Sequence, residues 1–371
     1  MIKRKTSAKF KTIAEEWFDE YAVLNLKSTT LASMRQRSAK VYELFGKRSI
    51  RSISTRDIQN FINSLAKDGA SEKTGKPYAT KTITHYLSFI SDVFNYAVRM
   101  DIVNENPCRK VIVPRTVKIE KEIYSQEETA LLFTRITGEP LKYQAFFFLV
   151  AYSGLRRSEM LGLEWKDIDF ENRIISIKRS SNYTAEKGIY TDTPKTKYSM
   201  RTIKISDYII DILRQLKIEQ DMQANKCKNW IDSDRLFVKK NGSPMNPGTP
   251  YDWLKEFCLK NKIPFHGIHS FRHFTASALI SAGIDVTTVS RILGHCNPGT
   301  TLNIYSHAFQ DAQAKASSAM DNAFLFLSQD KNKDVADSVS KKEEKINVAD
   351  SIKTLEHLAE QMGKTLKIEF V

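Results

Sequence analysis

In residues 80–97, apolar side chains fall at Ile83, Tyr86, Leu87, Ile90, Val93, Phe94 and Ala97. That is the i, i+3, i+4, i+7 spacing of one face of an α-helix, with polar residues left for the outside. Three earlier segments follow the same rule. One runs from Thr12 to Leu24 with Ile13, Trp17, Tyr21 and Leu24 inward. A second, capped by Thr29 or Thr30, carries Met34, Val41, Leu44 and Phe45. A third, after Ser54 or Thr55, carries Ile58, Phe61, Ile62 and Leu65. The Gly- and Pro-bearing segment Asp68–Tyr78 predicts a loop between the third and fourth helices. Four such helices predict a small all-α domain over residues 1–108, closed by Asn106-Pro107.

Residues 109–122 hold Pro114 and five Lys/Arg without helical periodicity, the character of an interdomain linker. A helix restarts at Tyr124, where Ser125 and Glu128 have the spacing of a capping box. The second domain, 123–327, reads as mixed. Helices near 126–136, 141–152 and 157–163 precede a strand at Arg173–Lys178 and a long polar loop. Thr193–Lys197 and Arg201–Ile205 then read as further strands of a small antiparallel sheet, and helices return after Asp207. Residues 328–371 form a charged tail with one short helix at Ile352–Leu366. The fold class is therefore α+β, mostly helical, and 371 residues suffice for two cores.

Composition narrows the partner. The net charge is +14, and residues 1–118 hold 22 Lys/Arg against 11 Asp/Glu. A basic first third suggests a polyanion, with nucleic acid foremost. No run approaches the apolar length of a membrane helix, and no apolar core follows the basic start as in a signal peptide. Cys108, Cys227, Cys258 and Cys296 form no C-x-x-C pair, which predicts free thiols, a cytoplasmic protein and no metal site.

Six residues, taken in order, form a chemically coherent set: Arg156, Lys195, His269, Arg272, His295 and Tyr305. Each alone has a bland explanation, as a helix end, a solvated hairpin or a packed ring. Together they match what attack on a phosphodiester demands. Charge spreads over the non-bridging oxygens, and two guanidiniums can hold them. Histidines add hydrogen bonds or move protons near neutral pH. A lysine can protonate the departing 5′ oxygen, and a tyrosine hydroxyl can form a covalent ester. No clustered carboxylates suggest a magnesium site, so a metal-free route without cofactor is expected.

These residues lie in segments that resemble the tyrosine recombinases, or phage integrases, over about residues 8–310. Ala151-Tyr152-Ser153-Gly154-Leu155-Arg156-Arg157-Ser158-Glu159-Met160-Leu161-Gly162-Leu163-Glu164-Trp165 is similar to the family's first arginine box. His269-x-x-Arg272 with His273 resembles the second. Leu293-Gly294-His295, with Thr300, Thr301, Tyr305 and His307, resembles the nucleophile box. The resemblance implies that Arg156 and Arg272 clamp the scissile phosphate and His295 bonds a non-bridging oxygen. It makes His269 an acid or base, Lys195 the general acid and Tyr305 the nucleophile of a 3′-phosphotyrosine link. Glu159 matches a buttressing position rather than a catalytic one. Lys197 remains open beside Lys195, because residues two apart on a strand share a face. His266 is the other histidine near Arg272, but only His269 completes H-x-x-R.

The resemblance further implies a core-binding domain and a catalytic domain forming a C-shaped clamp round double-stranded DNA. Lys76, Lys81, Arg109, Lys110 and Arg115 are candidate phosphate contacts. It implies a homotetramer on two duplexes, with an excisionase or DNA-bending accessory protein as a further partner. Only about ten residues precede the first helix, so the arm-binding domain of many relatives is expected to be missing or removed. Phe309, Ala312, Ala316, Met320, Ala323 and Leu327 outline a further amphipathic helix, which packs either in cis or on a neighbouring subunit. Integration and excision of a mobile element is the function expected. Resolution of chromosome or plasmid dimers, a catalytically silent DNA-binding relative, and a type IB topoisomerase are the alternatives.

Overall fold

The computed structural model describes residues 8–72, 74–115, 122–193 and 199–294, with Gly299, Ser317, Met320 and Asp321. By compactness the chain divides into Met1–Ala308 and Phe309–Val371. Lys195, Lys197, His295, Tyr305 and the helix expected at 352–366 lie outside the described residues, as does most of 309–327.

The N-terminal part is helical, as its periodicity predicts. Helix α1 (Phe10–Trp17) runs into a π-helical turn at Phe18–Ala22 and then α2 (Val23–Asn25). Here the expected face is corrected. Ile13 and Trp17 are buried, but Tyr21 and Leu24 are exposed, and Phe18 and Ala22 take the inward positions. A π turn closes i→i+5 bonds and so rotates every later side chain relative to an α-helix. Helix α3 (Ser28–Phe45) starts after Lys27, two or three residues earlier than the threonines suggested, and buries Val41 and Phe45 while Leu44 stays exposed. Helix α4 (Thr55–Leu65) opens on a reciprocal cap. Asp57 N donates to Ser54 Oγ at 3.2 Å, and Ser54 N donates to Asp57 Oδ2 at 2.8 Å. Helix α5 (Thr80–Arg99) buries the predicted stripe except Leu87, which is half-buried, and adds Phe89 and Tyr96 to it. Aromatic rings dominate this core, with Phe18 stacked on Phe89 at 5.6 Å.

A second core begins at Tyr124. Helix α6 (Gln126–Ile136) has the expected capping box, with Glu128 N to Ser125 Oγ at 3.1 Å and Ser125 N to Glu128 Oε2 at 2.9 Å. Helices α7 (Leu141–Ser153) and α8 (Arg157–Met160) follow. Strands β1 (Ile168–Asp169), β2 (Ile174–Ile177) and β5 (Arg201–Lys204) make an antiparallel sheet in the order β1-β2-β5, with Ile175 opposite Ile203. The long polar loop expected after β2 is instead a hairpin of β3 (Ser180–Thr184) and β4 (Gly188–Asp192). Its polar sequence hides it, because neither face alternates cleanly between apolar and polar. Of the strand expected at Thr193–Lys197, Thr193 is described and is irregular. The hairpin reaches the helical part. Lys27 Nζ lies 3.2 Å from Asp192 Oδ2 and 3.0 Å from the Thr193 carbonyl, and Lys187 Nζ donates to Ser28 Oγ at 2.8 Å.

Helices α9 (Asp207–Lys226), α10 (Thr249–Asn261), α11 (His269–Ser281) and α12 (Val286–Leu293) complete the described fold. Helix α7 is mostly apolar, burying Ala145, Phe146, Phe147, Leu149 and Val150, and packs against both α9 and α11 in the second core. No helix among the described residues is long and apolar enough to cross a membrane.

Candidate active site

The site is built where α7 ends. Its C-terminal cap is Gly154, at φ +61°, with the Gly154 N–H donating to the Val150 carbonyl at 2.9 Å. A Cβ at this position would lie 2.5 Å from Leu293 Cδ2 and 3.4 Å from Thr275. Glycine is therefore required twice, for the left-handed backbone and for the close approach of α11 and α12. Thr275 Oγ1 ties α11 to the same place by donating to the Ala151 carbonyl at 2.7 Å. After the turn the chain is extended at Arg156, whose N–H donates to Glu159 Oε2 at 3.1 Å as α8 begins.

Two arginines from distant parts of the sequence converge on this turn. Arg272 is buried on α11 and donates from Nη1 to the Gly154 carbonyl at 2.7 Å. Arg156 keeps 35% of its side chain exposed. Its Nη1 lies 2.7 Å from Glu159 Oε1, and its Nη2 donates to the Gly294 carbonyl at 3.1 Å. The first arginine box is thus hydrogen-bonded both to the second, through Gly154 and Arg272, and to Gly294, through Arg156.

Glu159 is buried and takes a second guanidinium, Arg201 Nη2, at 3.2 Å. Burial pushes its carboxyl pKa up, but Arg201, Arg156 and the Arg156 N–H outweigh this and hold it below the usual value. Two guanidiniums share one carboxylate here, so the cluster retains positive charge toward the exposed side of Arg156. That is the electrostatic character an anionic group requires. Sequence reasoning treats Arg201 only as the start of a strand, since nothing in a lone arginine on a polar strand marks it as buried.

His269 is the first residue of α11, exposed, one turn before Arg272 on the same side of the helix. Its ring stands edge-on to His273 at 4.9 Å. His266 is engaged elsewhere. It packs against Tyr124 at 4.9 Å, with Nε2 3.5 Å from Glu128 Oε2 beside the α6 cap. Lys76, Lys81, Arg109, Lys110 and Arg115 are all exposed on the helical part or its exit. Around His85 on α5, burial, Arg37 and Lys81 together lower the imidazole pKa, so α3 and α5 contribute to one basic neighbourhood.

Residues 121–312 match the model of the phage integrase family, and residues 10–112 match that of the phage integrase central domain. Among curated proteins, a tyrosine recombinase XerC-like protein of Caldanaerobacter subterraneus subsp. tengcongensis is 30% identical over 83% of this chain and 82% of its own length. The transposase from transposon Tn916 of Enterococcus faecalis is 30% identical over 71% of this chain and 67% of its own. Among solved structures, the Tn1549 transposon integrase in complex with a circular intermediate DNA superposes with a TM-score of 0.69 at 23% identity, covering 84% of this chain and all of that one.

Proposed function

The chain belongs to the phage integrase family, the tyrosine recombinases that cleave and rejoin DNA, and from that premise we propose that it integrates and excises a mobile element through a covalent link on Tyr305. The Tyr305 hydroxyl attacks the scissile phosphorus and loses its proton, with His269 as the acid–base group. The bond to the 5′ oxygen breaks, and Lys195 or Lys197 protonates that oxygen as it leaves. Arg156 and Arg272 hold the non-bridging oxygens, and His295 adds a hydrogen bond to one of them. The 3′-phosphotyrosine ester conserves the bond energy, so a 5′ hydroxyl from a second duplex can reverse the step and join a new strand.

The observation that carries this reading is the convergence of Arg156, Arg272 and the Gly294 carbonyl on the turn at Gly154. A mobile-element role is favoured by relatives that include the Tn916 transposase. The proposed division of labour follows the two cores. Residues 1–108 bind core DNA, 109–122 link, 123–327 carry the chemistry, and 328–371 form the tail. Double-stranded DNA is the substrate, held largely through phosphate contacts, and a homotetramer on two duplexes is the working assembly, with an accessory DNA-bending protein setting direction. The compartment is the cytoplasm.

The test uses nicked duplexes tiling the DNA that flanks the chain's own gene. Wild-type protein is expected to form a denaturation-resistant adduct with one or more of them. Arg156→Ala and Arg272→Ala are expected to lower the rate by on the order of 100-fold or more. Wild-type rates in both variants would remove the arginine clamp from the mechanism.

A further inference from the structure

Arg201 is the first residue of β5, and only 8% of its side chain is exposed. All three of its side-chain nitrogens are engaged. Nε donates to the Ile292 carbonyl at 2.6 Å, Nη1 to the Ser199 carbonyl at 3.1 Å, and Nη2 meets Glu159 Oε2 at 3.2 Å. Ile292 lies in the last turn of α12, whose carbonyls have no partner within the helix. Two residues further on, the Gly294 carbonyl is taken by Arg156. The end of α12, which leads directly into His295, is therefore gripped by two guanidiniums. Both are tied to the same buried carboxylate.

From this arrangement we propose that Arg201 is a positioning residue for the recombination reaction, orienting Arg156 through Glu159 and fixing the end of α12 at Ile292. The inference rests on the reading of Arg156 as part of the phosphate clamp. Its physical content is a competition for one carboxylate. With Arg201 present, Glu159 divides its two oxygens, and Arg156 keeps part of its fork for other acceptors. Without Arg201, a buried anion would be left to Arg156 alone. The fork would then be drawn onto Glu159 as a bidentate pair, away from any phosphate. The Ile292 carbonyl would lose its donor at the same time, loosening the end of α12. A lysine at this position keeps the charge but cannot reach three acceptors on three elements, because it lacks the planar fork.

The test compares single-turnover adduct formation on two nicked duplexes, one with an ordinary scissile phosphodiester and one with a methylphosphonate there. The methylphosphonate lacks the negative charge that the arginines are needed to hold. Arg201→Lys is expected to slow cleavage of the phosphodiester by on the order of 10- to 100-fold while retaining DNA binding. Most of that deficit is expected to disappear on the methylphosphonate. Arg201→Met paired with Glu159→Gln removes the competing carboxylate together with its partner, so it should fold and cleave the phosphodiester faster than Arg201→Met alone, because Arg156 is no longer drawn onto residue 159. Arg156→Lys is run beside them. Wild-type cleavage by Arg201→Lys, or an equal deficit on both substrates, overturns the positioning role. If Arg156→Lys also cleaves the phosphodiester at the wild-type rate, the clamp reading fails. If Arg156→Lys is slow and Arg201→Lys is not, only the role of Arg201 fails.

Discussion

Glu159 makes no direct claim on the substrate, yet it sets the charge balance of the site. Its carboxyl pKa is depressed below the ordinary 4.5, because two guanidiniums outweigh burial. A depressed acid stabilises the fold fully above its ordinary pKa, and that contribution is lost as pH falls through the lower folded value. Glu159→Gln is therefore expected to cost about 3 to 5 kcal/mol at neutral pH, the usual penalty for breaking a buried pair. The gap to wild type should close as pH is taken below 4.5, as followed by denaturant unfolding at a series of pH values. A gap that persists undiminished in acid would deny the ionised role. At this scale the sequence is legible where residue types recur in ordered segments. Arg156, His269 and Arg272 stand out there, and Glu159 is visible as a buttress. Arg201 is not legible, because its importance lies in burial and in contacts to residues 42 and 91 positions away.

Elements tell a different story about legibility. The capping boxes at Ser54 and Ser125 and the stripe of α5 are local, so local pattern finds them. The π-helical turn at Phe18–Ala22 and the hairpin β3–β4 are missed. In both, tertiary packing chooses among conformations that the local sequence leaves nearly equal. Gly154 lies between these cases. Its place in the motif is visible, but the reason for it is the approach of Leu293 and Thr275 from two other helices. Gly154→Ala must pay a positive-φ penalty and displace Leu293, so a loss of about 2 to 4 kcal/mol is expected. Adduct formation should fall with it, because the same turn carries Arg156 and the carbonyl that Arg272 holds. Thermal unfolding together with cleavage checks this, and an unchanged melting temperature would contradict the packing argument.

For the whole molecule, charge distribution and the pairing of two cores are what the sequence states most openly. The basic first third and the exposed positions of Lys81 and Arg109 predict binding dominated by phosphate contacts. The logarithm of the binding constant should then fall linearly with that of salt concentration. Lys81→Ala and Arg109→Ala should each reduce the slope by about one, with equal loss on specific and random duplex. Loss confined to one DNA sequence would mean that these side chains read bases instead. What the sequence does not disclose at this scale is the bridge from Lys27 and Ser28 to the β3–β4 hairpin, which joins segments more than 150 residues apart. The central claim is nonetheless a chemical one, and one measurement meets it most directly. Wild-type protein and Tyr305→Phe are each incubated with the flanking-DNA duplexes in the presence of a chelator, and covalent complexes are resolved under denaturing conditions. The account predicts an adduct for wild type that proteolysis and mass spectrometry map to Tyr305, and none for Tyr305→Phe. An adduct formed by Tyr305→Phe, or one that the chelator abolishes in wild type, would contradict it.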